Sequence, residues 1–129
     1  MNATSRPGGR VNSASDAAAV LTKAVKRASE HMNVSQSALA KMIGLSPATV
    51  SRLFNGEYQL ERDSKQWEFA VLFVRAFRSL DSIVANEDTA RQWLRGENLA
   101  LNGQPIKLME HAEGLVRVVQ YLDASRGTV

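Results

Sequence analysis

The chain has 129 residues, no cysteine, 44% hydrophobic residues and a formal net charge of +3. That length supports one ordinary domain or two small helical units sharing a core, and the missing cysteines exclude a disulfide framework and a cysteine-based zinc site. A cytoplasmic location is expected, because no apolar run reaches bilayer length and the polar first residues lack a signal peptide's apolar core.

Residues 1–14, with Pro7, Gly8 and Gly9, read as a disordered arm. From Ser15 or Asp16, either a good N-cap, apolar residues recur at Val20, Leu21, Ala24, Val25, Ala28 and Met32, the spacing of one buried helix face; Lys23, Lys26, Arg27 and Glu30 point outward. Ser35 caps a second helix with Leu39, Ala40 and Ile43 inward, ended by Gly44. A third starts with Ser46 as N-cap and Pro47 in the first turn, where a missing N–H costs nothing, and closes at Gly56.

After a link over 57–63, the stretch from Ser64 to Val84 is rich in apolar residues, with Lys65, Glu68, Arg75, Ser79 and Ser82 read as a narrow polar stripe. Such a helix must be buried against more than one neighbour. A dimer surface through Trp67, Phe69, Phe73 and Phe77 is expected, the alternative being that one compact domain covers the helix completely. Asn86 caps a further helix through Ala90, Trp93 and Leu94 to Gly96, and a turn containing Asn98, Asn102, Gly103 and Pro105 follows. The last periodic piece has Leu115, Val118, Val119 and Leu122 inward, although "LVRVVQYL" also suits a strand.

Charge is uneven along this order. Through Gly56 there are seven Lys/Arg against two Asp/Glu, and beyond it nine against eleven. A basic first half points to a polyanion, and the mildly acidic remainder to a different partner.

Gln36 to Asn55 satisfies each demanding position of two short helices crossing at a tight turn. Leu39, Ile43, Val50 and Leu53 face inward, Ala40 is small at the crossing, Gly44 takes the left-handed turn and Leu45 fills the gap beneath. This stretch resembles the helix-turn-helix of the Xre and phage-repressor-like families. With Val50, Leu53 and Phe54 inward, Ser46, Ala48, Thr49, Ser51, Arg52 and Asn55 form the candidate DNA-reading face, and Arg52 suits a guanine. Ser35, Gln36 and Lys41 are the candidate phosphate contacts. One unit reads one half-site, and operators pair half-sites about 34 Å apart, so a homodimer on double-stranded DNA is expected.

Downstream, Ala90, Trp93, Leu94, Asn98, Leu101, Gly103, Pro105, Leu108, Gly114, Val118, Leu122 and Gly127 form a long spaced pattern. It resembles the toxin-binding domain of the Xre/MbcA/ParS antitoxin group. The resemblance implies an antitoxin of a type II system that neutralises a RES-domain, NAD-consuming toxin and represses its own promoter. It further implies a C-terminal plug in the toxin's pocket made by Leu122, Asp123, Ser125, Arg126, Gly127 and Val129. The alternative is a stand-alone helix-turn-helix repressor with a dimerisation or small-ligand domain.

The expected architecture is all-α, with an arm over 1–14, a DNA-binding unit over 15–62 and a dimerisation and toxin-binding unit over 63–129. Neither enzymatic activity, cofactor nor metal is expected. His31 and His111 sit at helix ends, the Glu110/Glu113 pair suits a charged helix start, and there is no phosphate-cradling glycine loop.

Overall fold

A computed structural model describes residues 13–127, so residues 1–12 of the expected arm, and Val129 of the expected plug, lie outside the described residues. Seven helices follow in order among the described residues: α1 (Ser13–His31), α2 (Gln36–Ile43), α3 (Pro47–Phe54), α4 (Lys65–Ile83), α5 (Glu87–Arg95), α6 (Pro105–Leu108) and α7 (Ala112–Gly127). The only bridge-type pairing among them is an isolated one between Asn98 and Gly103.

Helix α1 begins two residues inside the stretch expected to be arm, ahead of the Ser15 and Asp16 start signals. Its buried stripe is Ala18, Leu21, Val25, Ala28 and Met32, a run of three- and four-residue steps. Val20 is off that stripe and 69% exposed, contrary to its expected inward position. Ala40 is buried, as its small size at the α2/α3 crossing requires, and Met42 joins Leu39 and Ile43 in the core although its place on that face was not evident.

Helix α4 is the shared beam. It packs on α1, α2, α5 and, most extensively, α7. Phe73 is fully buried with Ala70, Ala76 and Leu80, so it belongs to the core and is removed from the expected dimer surface. Phe69 is half-buried under the α2–α3 turn, where a β-carbon on Gly44 would lie 3.4 Å from its ring. Phe77 is half-buried against His31, with ring centroids 5.4 Å apart. Trp67 is half-buried with the Arg62 guanidinium 5.6 Å above its ring. The aromatic excess therefore has internal partners. Ser79, expected on the polar stripe, is fully buried instead.

The last segment is helix and not strand. Leu115, Val118, Val119 and Leu122 all reach the α4 side only with helical spacing, and one continuous core joins them to the α1–α3 residues. Gly114 permits the close approach of α7 to α6, because a β-carbon there would stand 2.0 Å from the Leu108 carbonyl oxygen.

Candidate functional site

The α2–α3 corner is built from caps. Ser35 Oγ accepts from the Ala38 N–H at 3.0 Å, and Ser46 Oγ accepts from the Thr49 N–H at 3.1 Å. Between them Gly44 adopts φ 78°, and the Gly44 and Leu45 N–H groups both donate to the Ala40 carbonyl at 2.9 Å. A residue with a β-carbon is strained in that left-handed region. The corner fixes which face α3 turns to solvent: Val50 and Leu53 are buried, Phe54 is half-buried, and Ala48, Arg52 and Asn55 are exposed.

Thr49 and Ser51 are half-buried on the margins of that face. Arg52 Nη2 donates to Thr49 Oγ1 at 3.0 Å, and Thr49 Oγ1 lies 2.8 Å from Ser46 Oγ. Ser46, Thr49 and Arg52 therefore form one chain along the outer edge of α3. A guanidinium held this way has lost part of its rotamer freedom before any ligand arrives, while most of its donors still point outward. Ser35 and Gln36 are exposed at the start of α2, where the first-turn N–H groups and helix dipole favour an anion.

Lys41, a candidate phosphate contact, has an exposed side chain beside an acid of the second half. Its Nζ sits 3.8 Å from Glu110 Oε1, on the α6–α7 elbow. Lys26 differs from its outward assignment: its Nζ donates to the Phe54 carbonyl at 3.2 Å and lies 5.6 Å from the Phe54 ring centroid. It thus pins the end of α3 to α1. No sequence signal marks this contact, since the pair is 28 residues apart.

The second half contributes a clamp that sequence reasoning missed. Arg95 Nη2 donates to the Asn33 carbonyl at 2.7 Å and to the Met32 carbonyl at 3.2 Å. Arg91 donates from Nε to the His31 carbonyl at 2.9 Å and from Nη2 to the Glu30 carbonyl at 3.1 Å. Two cations from α5 thereby cap the carbonyls at the end of α1, of which Glu30's also accepts from the Asn33 N–H at 3.2 Å. Glu87 completes the junction 2.5 Å from His31 Nδ1.

Between α5 and α6 the chain makes a tight elbow. Asn98 and Gly103 exchange backbone hydrogen bonds at 2.9 and 3.2 Å, Asn98 Oδ1 accepts from the Leu101 N–H at 2.9 Å, and Arg117 donates to the Leu101 carbonyl at 3.0 Å. Leu101 is buried under this elbow, and Trp93 stacks on Tyr121 at 6.2 Å. Leu99, at the tip, is 98% exposed. It is a rigidly presented apolar side chain that hydrophobic periodicity did not reveal.

The expected plug is largely structural. Helix α7 continues to Gly127, and Leu122 is buried in the core, out of reach of any partner. Asp123 accepts from Ser79 Oγ at 2.7 Å and pairs with Arg75. Ser125 Oγ donates to the Tyr121 carbonyl at 2.9 Å. Arg126 is exposed but donates from Nη1 to Ser79 Oγ at 3.2 Å. The Ser79 hydroxyl, with the Arg75 and Arg126 guanidiniums, holds the Asp123 carboxyl below its ordinary range, against burial that pushes it up. Leu122 and Asp123 thus anchor the end of α7 to α4.

No group of three metal-ligating side chains gathers among the described residues, and no helix among them is long and apolar enough to cross a membrane.

The two halves match two family models. Residues 13–75 match the antitoxin Xre-like helix-turn-helix domain, and residues 79–127 match the antitoxin Xre/MbcA/ParS C-terminal toxin-binding domain. A comparison with curated proteins gives no match. Since the two matches cover all of 13–127 except three residues inside α4, the chain belongs to the Xre/MbcA/ParS family of antitoxins.

Proposed function

We propose that this antitoxin belongs to a type II pair whose toxin carries a RES domain and consumes NAD, and that it acts as a homodimer repressing its own promoter in the cytoplasm. The observation that carries the DNA half is the Ser46–Thr49–Arg52 chain on the exposed face of α3. In this reading α3 enters the major groove with Ala48 and Thr49 toward base edges or thymine methyls and Arg52 toward a guanine, while Ser35 and Gln36 hold phosphates.

The toxin half takes the exposed elbow with Leu99 as its apolar contact, together with the end of α7, Ser125 to Gly127, and Val129 beyond it. A rigid elbow supports this assignment, because a preformed projection loses little freedom on binding. Blocking the toxin's pocket is binding and requires no chemistry from this chain.

The test is coexpression with the toxin gene of the same operon, reading growth, copurification and cellular NAD, alongside a gel shift on the operon's promoter. Rescue, copurification and a salt-sensitive shift are expected. A chain that shifts the promoter but neither rescues growth nor copurifies with the toxin is a plain repressor.

A further inference from the structure

We propose that the hollow between α1 and the end of α3 binds a nucleotide, a small ligand that carries phosphate, sugar hydroxyls and a flat ring. The proposal is independent of the operator and toxin readings given above.

The hollow measures about 550 Å³, inside the range of small-ligand sites, about 300 to 1,000 Å³. One wall is cationic. Lys23, Lys26 and Arg27 line it from α1 at three- and four-residue steps, so they share one helix face. Lys23 and Arg27 stand on the ridge between this hollow and a second one toward α4, while Lys26 borders the first alone. The opposing wall comes from the end of α3 and the link after it, through Phe54 and Tyr58, and Ala18, Ala19 and Leu53 add apolar surface.

Unspent hydrogen-bonding groups point to a ligand. The Lys23 ammonium, the Arg27 guanidinium and the Thr22 and Tyr58 hydroxyls make no side-chain hydrogen bond or ion pair among the described residues, although Thr22 and Tyr58 are half-buried. Lys26 is already set in place: its bond to the Phe54 carbonyl spends one of three ammonium donors and fixes the charge at the wall.

The chemistry narrows the class. Three cations against one acid, Glu30, suit phosphate, and the Arg27 fork matches two phosphate oxygens. Glu30 has no ion-pair partner within 4.0 Å among the described residues, so it is an acceptor in want of donors. Inorganic phosphate offers it none, whereas sugar hydroxyls or a ring amine do. Because Lys26 stands over the Phe54 ring, Tyr58 is the open aromatic surface on which a base can stack. Duplex DNA carries the same phosphates, but its bases are stacked inside the helix and cannot reach a ring set in a hollow. The observations favour the free nucleotide.

The experiment is calorimetric titration of the full chain with AMP, GMP, CMP and UMP, with the matching nucleosides and inorganic phosphate as part-ligands. Circular dichroism on each variant and the promoter gel shift run in parallel. At least one nucleotide is expected to bind at least about tenfold more tightly than its nucleoside or phosphate alone. Arg27→Glu should weaken that nucleotide at least about tenfold by removing the fork. Ala19→Leu, at an exposed position on the lining, should block it by filling the hollow with charge and helix content unchanged. Tyr58→Leu should weaken it at least about fivefold. Should Ala19→Leu lose helix content, the other two variants decide. No binding by any of the four nucleotides, phosphate held as tightly as the nucleotide, or a folded variant of the three that binds as the wild type does overturns the proposal. A hollow that takes no nucleotide while Arg27→Glu weakens the promoter shift belongs to the DNA backbone, which also overturns it. Nucleotide binding as expected in a chain that shifts no promoter fragment contradicts the operator reading and leaves this site standing.

Discussion

Arg95 Nη2 sits 2.7 Å from the carbonyl oxygen of Asn33, joining the helix that opens the toxin-binding region to the corner between α1 and α2. Asn33 itself is left-handed at φ 56°, so that corner cannot continue as helix and its carbonyls need outside donors. Arg95→Ala should cost about 2 kcal/mol of unfolding free energy, in the range for hydrogen bonds to charged groups. Urea denaturation checks it, and Arg95→Lys should recover only part of the loss because one ammonium cannot reproduce the fork.

Arg52→Ala should weaken operator binding by about 1 to 3 kcal/mol, roughly tenfold to a hundredfold. Toxin neutralisation should be unchanged, since Arg52 is exposed on α3 and its side chain bonds Thr49 within the same helix. Thr49→Val should have a smaller effect on the same gel shift, because it removes the hydroxyl that positions the guanidinium while leaving Arg52 itself. Equal losses of DNA binding and neutralisation would contradict the separation.

Leu99→Asp should lower toxin capture by about 2 kcal/mol or more, as for a central apolar contact. Thermal stability and promoter binding should be untouched, because Leu99 is fully exposed and outside the core. Calorimetric titration of toxin with the variant decides it, and unaltered affinity rejects Leu99 as a contact.

Asp123 makes the end of α7 sensitive to acid. Its carboxyl titrates below the unfolded value, so the folded chain binds fewer protons than the unfolded one at mildly acidic pH. The stabilisation is fully present above about pH 4, the unfolded carboxylate value, and is lost as pH falls through the lower folded value. Asp123→Asn should flatten the difference in stability between neutral and acid pH. At neutral pH it should cost about 1 to 3 kcal/mol, because the buried Ser79 hydroxyl and Arg75 lose their anion.

Gly114→Ala should be far more damaging than its exchange of one hydrogen for a methyl implies. The new β-carbon would overlap the Leu108 carbonyl, a backbone atom that cannot rotate away, and about 3 kcal/mol or more is expected from forcing α6 and α7 apart. The shift in melting temperature reports it directly.

Local signals carried much of this architecture. Ser35, Gly44, Ser46 and Asn86 announce helix ends through their own backbone and side-chain chemistry, and the structure uses each as a cap. The outward set on α3 followed from Val50 and Leu53, because a short helix with two inward anchors leaves few orientations. Tertiary choices were not legible. Val20 fits the apolar pattern of α1 as well as its neighbours do, and only the position of α4 excludes it from the core. Phe73 and Ser79 were assigned to surfaces because a helix rich in apolar residues does not state how many neighbours it has. The Arg91 and Arg95 clamp joins residues some sixty positions apart, and their fork geometry gives no hint of the carbonyls they seek. Leu122 and Asp123 carry the same lesson: a C-terminal end is expected to fray, and here Ser79 and Arg75 hold it.

The boundary between the two matched regions falls within α4, between Arg75 and Ser79, and the hydrophobic cluster runs unbroken across it. A chain that melts through such a cluster does so in a single cooperative step. Whatever unravels one end, whether heat, urea or a processive unfoldase, is therefore expected to abolish DNA binding and toxin binding at the same midpoint. Severing the polypeptide at the seam would split that cluster and leave each piece with part of its apolar face uncovered.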